Sequence, residues 1–383
     1  MTARRGWKDA GRARPAHQCP VRFGRDLLRL ESSRWPPFIL VTTPSAYKTA
    51  SLLLNKEPAD ILLTESVETV YLQRASGRLT DKARIVIGLG GGKALDGSKY
   101  IALAKDLPLI LVPTITSTAS IVRGVCPRWQ RRRIIGQLSE WPWIDCECVL
   151  VDYDAVLAAP YYLNTSGLGD VLCCYAKAAE WRWATSSNKE FNMDEQSARA
   201  IISHCAALAS AFPSTLTQDT SLTPESVRFI IAALKSRPPV GLDDLTPPTT
   251  EHAFLNALEY VNDRSWMHGE IVALGAVIIA WDCDANPEGL AHTLDKCRVR
   301  WRPQQVGIRR DELRRGLEAM PVLAGSERTQ DAFLPSLVRD PIIGEKFDRL
   351  WDFLGRHYDC RITYSTCATC PTKTTCAPSP TDT

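Results

Sequence analysis

The sequence predicts an α/β N-terminal domain built on a parallel sheet, followed by an all-α C-terminal domain. Three observations carry this expectation: five short apolar runs separated by helix-length stretches in the first half, a glycine-rich turn that joins one of those runs to a helix, and a change after residue 160 to long segments of helical periodicity.

The runs are PFILVTT (37–43), DILLT (60–64), ARIVIGLG (83–90), LPLILVPT (107–114) and CVLVDYD (148–154). Each is short, rich in β-branched or aliphatic residues and bounded by turn formers, as strands are. Near-continuous apolar strands imply a sheet covered on both faces, and helix-length connections imply parallel pairing. In outline this is a Rossmann-like nucleotide domain. Beyond residue 160, DVLCCYAKAAEWRWA and DEQSARAIISHCAALASAF read as helices, and no further series of strands is evident. The expected organisation is a disordered tail over 1–18, a nucleotide-binding domain over 19–159, a helical metal-binding domain over 160–356 and a cysteine-rich, disordered tail over 357–383.

Bulk properties exclude several classes. A chain of 383 residues with 45% hydrophobic and 23% charged residues is too apolar for disorder, and a net charge of +3 is not the basic surface of a nucleic-acid binder. The longest apolar run, IVALGAVIIAW (271–281), is a buried helix by length, short of the roughly 20 residues that span a bilayer. Arg4, Arg5, Lys8, Arg12 and Arg14 precede no apolar stretch of the kind a secretory signal needs. Thirteen cysteines in a chain of this size then fit reduced thiols in a cytoplasmic protein. His357, Cys360, Cys367, Cys370 and Cys376 cluster near the end, but one CxxC with irregular partners in Thr/Pro/Ser-rich surroundings is weak support for zinc.

The strongest motif is VIGLGGGKALDGSKYIA (86–102). A strand runs into Gly90, Gly91 and Gly92, and a helix opens at once with Lys93. Glycines let a backbone approach a pyrophosphate, whose charge is met by amide hydrogens at a helix N-terminus. A plain tight turn would look similar, and the spacing is not GxGxxG. Asp96 and Lys99, one turn apart, form either a surface ion pair or a cofactor contact through Asp96. After the fourth strand, VPTITSTAS (112–120) offers Thr114, Thr116, Ser117 and Thr118 as hydroxyl donors where such sheets bind ligands.

Two of the six histidines, His252 and His268, stand at the starts of successive helices, so they can converge on one point. A catalytic metal wants three protein ligands and an open position. Asp170, after Gly167 and Gly169, supplies a carboxylate; its plain reading is an N-cap opening a helix. The densest basic run, RGVCPRWQRRR (123–133), is either a solvated hairpin or a source of an arginine for a phosphate.

Taken in order, GGGKALDGSKYIA, VPTITSTAS, GLGDVLCCYAKAAEWRWA, TEHAF and HGE resemble the superfamily of glycerol dehydrogenase, dehydroquinate synthase and iron-containing alcohol dehydrogenase. TEHAF and AAEWRWA are most similar to its glycerol-1-phosphate dehydrogenase branch. The resemblance spans about residues 20–355. It implies that Asp170, His252 and His268 ligate a catalytic zinc or iron. It also implies that Gly90, Gly91, Gly92, Lys93 and Asp96 line the pyrophosphate of NAD or NADP, with Thr114, Ser117 and Thr118 near the nicotinamide. The expected substrate is a small ketone, dihydroxyacetone phosphate foremost, and the expected assembly a homo-oligomer without nucleic-acid or membrane partners. Two positions depart from the pattern. Ala119 stands where an aspartate usually touches substrate hydroxyls, and Thr42, Thr43 and Pro44 replace the acidic residue that holds the adenosine ribose, which leaves room for NADPH. The alternatives are a dehydroquinate-synthase-like cyclase of a sugar phosphate and an inactive cofactor-binding paralogue.

Overall fold

The structure is a computed structural model that describes residues 19–130, 133–135, 142–187, 195–236, 250–325 and 336–356. Both expected tails, with His357 and the four cysteines beyond it, lie outside the described residues.

The first half alternates β1 (Val21–Gly24), α1 (Leu27–Ser32), β2 (Phe38–Thr42), α2 (Pro44–Ala50), β3 (Asp60–Leu63), α3 (Thr69–Ser76), β4 (Ile85–Gly90), α4 (Gly92–Lys105) and β5 (Leu109–Pro113). A hairpin of β6 (Arg128–Gln130) and β7 (Arg133–Ile135) follows, then β8 (Cys148–Asp152) and α5 (Tyr153–Leu157). Six strands form one parallel sheet in the order β1-β8-β5-β4-β2-β3. All five predicted strands are present. The sixth, β1, was missed because it is an edge strand of four residues with only Val21 and Phe23 to mark it.

Strands β2, β4 and β5 are buried along their whole length, which is why their sequences run apolar without alternation. Their side chains nonetheless divide by face. Phe38, Leu40, Ile85, Ile87 and Leu89 pack with Leu27, Leu28 and Trp35 on one side. Ile39, Val41 and Val86 join Leu95, Ile101 and a cluster that continues into the later helices on the other. From β2 the chain moves outward to β3, returns to β4 and then proceeds to β5, so the direction of winding reverses between β2 and β4. The crevice at the carboxyl ends of these two strands is where such sheets accept ligands.

After β8 every described element is helical: α6 (Tyr161–Leu172), α7 (Tyr175–Ser187), α8 (Glu195–Ala211), α9 (Pro224–Lys235), α10 (Thr250–Asn262), α11 (His268–Asp282), α12 (Pro287–Lys296), α13 (Pro303–Val306), α14 (Arg310–Gly325), α15 (Ser336–Arg339) and α16 (Gly344–Arg356). The run expected as a buried helix is the body of α11, where Gly269 to Ala280 are all buried. No helix among the described residues is long and apolar enough to cross a membrane.

Helices α6 and α11 meet backbone to backbone. A Cβ on Gly269 would lie 1.8 Å from the Ser166 carbonyl oxygen, and one on Gly169 would lie 2.3 Å from that of Gly269. Neither position tolerates a side chain. Gly269→Ala should therefore cost at least about 1–3 kcal/mol of stability, whereas Gly355→Ala, with nothing within 4 Å, should be neutral or gain up to about 1 kcal/mol. Urea unfolding midpoints compare the two, and an unperturbed Gly269→Ala would contradict the close crossing.

Glu180 of α7 is buried and accepts the Ser336 backbone N–H and hydroxyl, each at 3.2 Å. Burial pushes its carboxyl up to about 7, ahead of the opposing hydrogen bonds. The folded state thus holds this proton more tightly than the unfolded chain, and stability falls as pH rises from the ordinary carboxylate range through about 7. Glutamine keeps an oxygen for both Ser336 donors but cannot ionise. Relative to wild type, Glu180→Gln should gain stability between about pH 5 and about pH 8, read from thermal unfolding at each pH. A constant difference across that range would remove Glu180 as the cause.

Candidate active site

The glycine turn sits at the end of β4. Gly90 adopts a positive φ of 145°, a backbone conformation that side chains resist, and Gly91 is the N-cap of α4 without a capping side chain. The first turn of α4 carries no acidic residue, so its amide hydrogens and positive end are left for an anion. Lys93 is exposed beside it.

The other two glycines are small for a reason the sequence did not reveal. A Cβ on Gly91 would meet Ile115 Cδ1 at 2.8 Å, and one on Gly92 would meet Thr118 Cγ2 at 2.9 Å. They make room for the loop after β5. Asp96 and Lys99 are not a surface pair, because Lys99 is fully buried. Its Nζ donates to Asp96 Oδ1 at 3.0 Å, to the Ser120 carbonyl at 2.8 Å and to Ser120 Oγ at 2.7 Å, and the Ser120 hydroxyl also donates to Asp96. This pair clamps α4 to the end of the loop.

The loop is also held from the helical side. Thr116 N–H donates to Asn164 Oδ1 at 2.9 Å, and Thr116 Oγ1 donates to the Asn164 carbonyl at 3.1 Å. Thr114, Thr116 and Ser117 are buried, and Thr118 caps the short 3-10 turn Ala119–Ile121. A Cβ on Gly167 would lie 1.9 Å from the Thr116 carbonyl oxygen, so this contact is again backbone to backbone. Asn164 was missed by sequence reasoning, although it begins the same NTSGLGD stretch.

Asp170 does not open a helix. It lies in the last turn of α6, and the glycines that suggested a break are those of the close crossings. Its carboxylate is buried, with Oδ2 accepting the Ala119 backbone N–H at 2.8 Å. The other oxygen, Oδ1, lies 3.3 Å from His268 Nε2 and 3.8 Å from His252 Nε2. His252 is the third residue of α10 and His268 the first of α11, and their ring centroids are 5.1 Å apart. The three residues singled out in the sequence therefore converge on one carboxylate oxygen.

His252 Nδ1 faces Glu251 Oε1 at 3.2 Å. Burial lowers the His252 pKa, and the Glu251 hydrogen bond opposes this without prevailing. A neutral ring has one N–H, and Glu251 draws it to Nδ1. The Nε2 lone pair then faces an anionic oxygen, a repulsive arrangement that a cation between them converts into ligation. The donor set thus fits a divalent ion, and Glu251 is a further residue that sequence reading did not single out.

Residues 48–160 match the family model for iron-containing alcohol dehydrogenase. A glycerol-1-phosphate dehydrogenase [NAD(P)+] of Thermoplasma volcanium is 27% identical over 350 residues, covering 84% of this chain and 96% of its own. That of Metallosphaera sedula is 25% identical over 297 residues, covering 73% and 80%. Glycerol dehydrogenase from Schizosaccharomyces pombe superposes with a TM-score of 0.61 at 18% identity, over 90% of this chain and 92% of that one.

The chain is similar to iron-containing alcohol dehydrogenases over residues 48–160 and, across most of its length, to glycerol-1-phosphate dehydrogenases.

Its parallel sheet and helical remainder are the fold shared with glycerol dehydrogenase. Of the basic run, Arg128 and Arg133 lie in the β6–β7 hairpin, as one of the two sequence readings expected, while Arg131 and Arg132 lie outside the described residues.

Proposed function

We propose that the chain is an NAD(P)H-dependent oxidoreductase that reduces a small ketone at a metal held by Asp170, His252 and His268, with dihydroxyacetone phosphate reduced to sn-glycerol 1-phosphate. The observation that carries this reading is the Asp170 Oδ1 oxygen faced by two imidazole nitrogens, joined through Ala119 and Thr118 to the glycine turn of β4.

The bound ion would supply Lewis acidity toward the substrate carbonyl oxygen, and the nicotinamide would supply the hydride. This chain's own residues fix the rest. Ala119 N–H holds one Asp170 oxygen so that the other is aimed at both histidines, and Glu251 orients the His252 ring. Gly90, Gly91 and Gly92 leave amide hydrogens at the α4 N-terminus for a pyrophosphate, with Lys93 alongside and Thr114, Ser117 and Thr118 on the adjoining loop. The first turn of α2, after Thr42 and Thr43, has no acidic residue, so a 2′-phosphate meets no repulsion there and NADPH is accepted as well as NADH. Arg123, two residues past the Ala119–Ile121 turn, would suit a phosphorylated ketone. The names of the sequence relatives favour the same substrate.

Alanine at Asp170, His252 or His268 should abolish stoichiometric metal and ketone reduction together, and Glu251→Ala should weaken metal binding about 10–100-fold. Metal content of the dialysed proteins decides this; a full complement of metal in His252→Ala would sink the ligand assignment.

Substrate choice is tested separately. Steady-state assays of the zinc-loaded protein with each reduced cofactor should show dihydroxyacetone phosphate turning over at least tenfold faster than dihydroxyacetone, about 1.4 kcal/mol of transition-state discrimination. If unphosphorylated ketones or aldehydes are preferred, the phosphate assignment is lost and the dehydrogenase reading remains.

A further inference from the structure

Cys173 closes α6 three residues after Asp170, so the two side chains share one face of the helix. Its sulfur, a carboxylate oxygen of Asp170 and a ring nitrogen of His252 all lie within 4.8 Å of one another, the one trio of histidine, cysteine and acidic ligand atoms so arranged among the described residues. The thiol donates to the Asp170 carbonyl at 3.2 Å, which fixes the sulfur on the side of the carboxylate. A buried cysteine is often no more than a small apolar filler. Of the nine described free cysteines, however, this one alone belongs to a metal-sized group.

We infer that Cys173 is an additional donor to the ion at Asp170, His252 and His268, a soft ligand that makes the site select zinc over iron. The inference rests on the metal site proposed above and extends it. Sulfur bonds zinc at about 2.3 Å and matches its borderline softness, whereas harder ions gain little from it. As the ion enters, the thiol proton is released to solvent and the Cys173 sulfur binds as thiolate. One carboxylate and one thiolate would then balance a divalent charge at a buried centre, with the two imidazoles completing four donors. Zinc accommodates a fifth ligand, so a substrate oxygen can still join the set. The price of the sulfur is a less electrophilic metal, offset by retention of zinc when it is scarce.

The full chain, stripped with chelator and reloaded with cobalt(II), separates the two readings. Expected are visible d–d bands from a bound ion together with an intense near-ultraviolet thiolate-to-cobalt charge-transfer band. Cys173→Ser, and Cys173→Ala should the serine variant misfold, keep the visible bands and lose the near-ultraviolet one. Zinc affinity relative to iron(II) falls by more than the roughly 10–100-fold that loss of an outer-shell partner costs. Visible bands without a charge-transfer band in the wild type would overturn Cys173 as a ligand while leaving the metal site standing. A band that survives in both variants would assign the thiolate elsewhere and likewise overturn it. Absence of any cobalt spectrum would overturn the metal site and this inference together.

Discussion

Three glycines that cannot carry a side chain set the geometry on which the site depends. Gly169 and Gly269 bring α6 and α11 into backbone contact, and Gly167 does the same for α6 and the loop after β5. Asp170 directly follows the first of these contacts and His268 directly precedes its partner. Ordinary helix packing keeps axes 8–10 Å apart through interposed side chains. Removing the side chains brings a carboxylate on one helix within 3.3 Å of an imidazole on the other.

The loop after β5 then ties this crossing to the sheet. Residues 115–120 contact, in turn, Gly91, Asn164, Thr118's neighbour Gly92, Asp170 and the Lys99–Asp96 pair. The glycine turn at the switch between β2 and β4 is thereby locked in register with the Asp170 carboxylate. Such coupling suits a reaction in which a nicotinamide and a polarised carbonyl must meet with little freedom. It also gives Ala119 a role independent of its small side chain, since only its backbone N–H is used.

The electrostatic setting follows from burial. Asp170, Glu251 and Glu180 are all buried near the start of α10, where Thr250 contacts Glu180, Glu251 faces His252, and His252 faces Asp170. Water cannot shield these carboxylates, so each must be compensated by hydrogen bonds, by protonation or by a cation. Glu180 takes the second course, with its pKa raised to about 7, and the third is the one proposed above for the Asp170–His252 face.

Much of this was legible in the sequence. Uninterrupted apolar runs marked the inner strands β2, β4 and β5 because a sheet covered on both faces imposes one composition along its whole length, and α11 declared itself by being apolar all round. The order of motifs singled out Asp170, His252 and His268, whose chemistry is a property of residue type. What stayed hidden depended on partners distant in the chain. The edge strand β1 exists only through its pairing with β8, and Gly91 is small because of Ile115. Asp170 was misread as a helix start, since a glycine pair looks the same whether it breaks a helix or admits a neighbouring backbone. Asn164, Glu251 and Cys173 are ordinary polar residues until the fold sets them beside Thr116, His252 and Asp170. The sequence alone determined the layers, the glycine turn and the candidate ligands, because these rest on composition and local periodicity. Only the tertiary structure decided which oxygen faces which nitrogen, because that is fixed by how closely two remote backbones can approach.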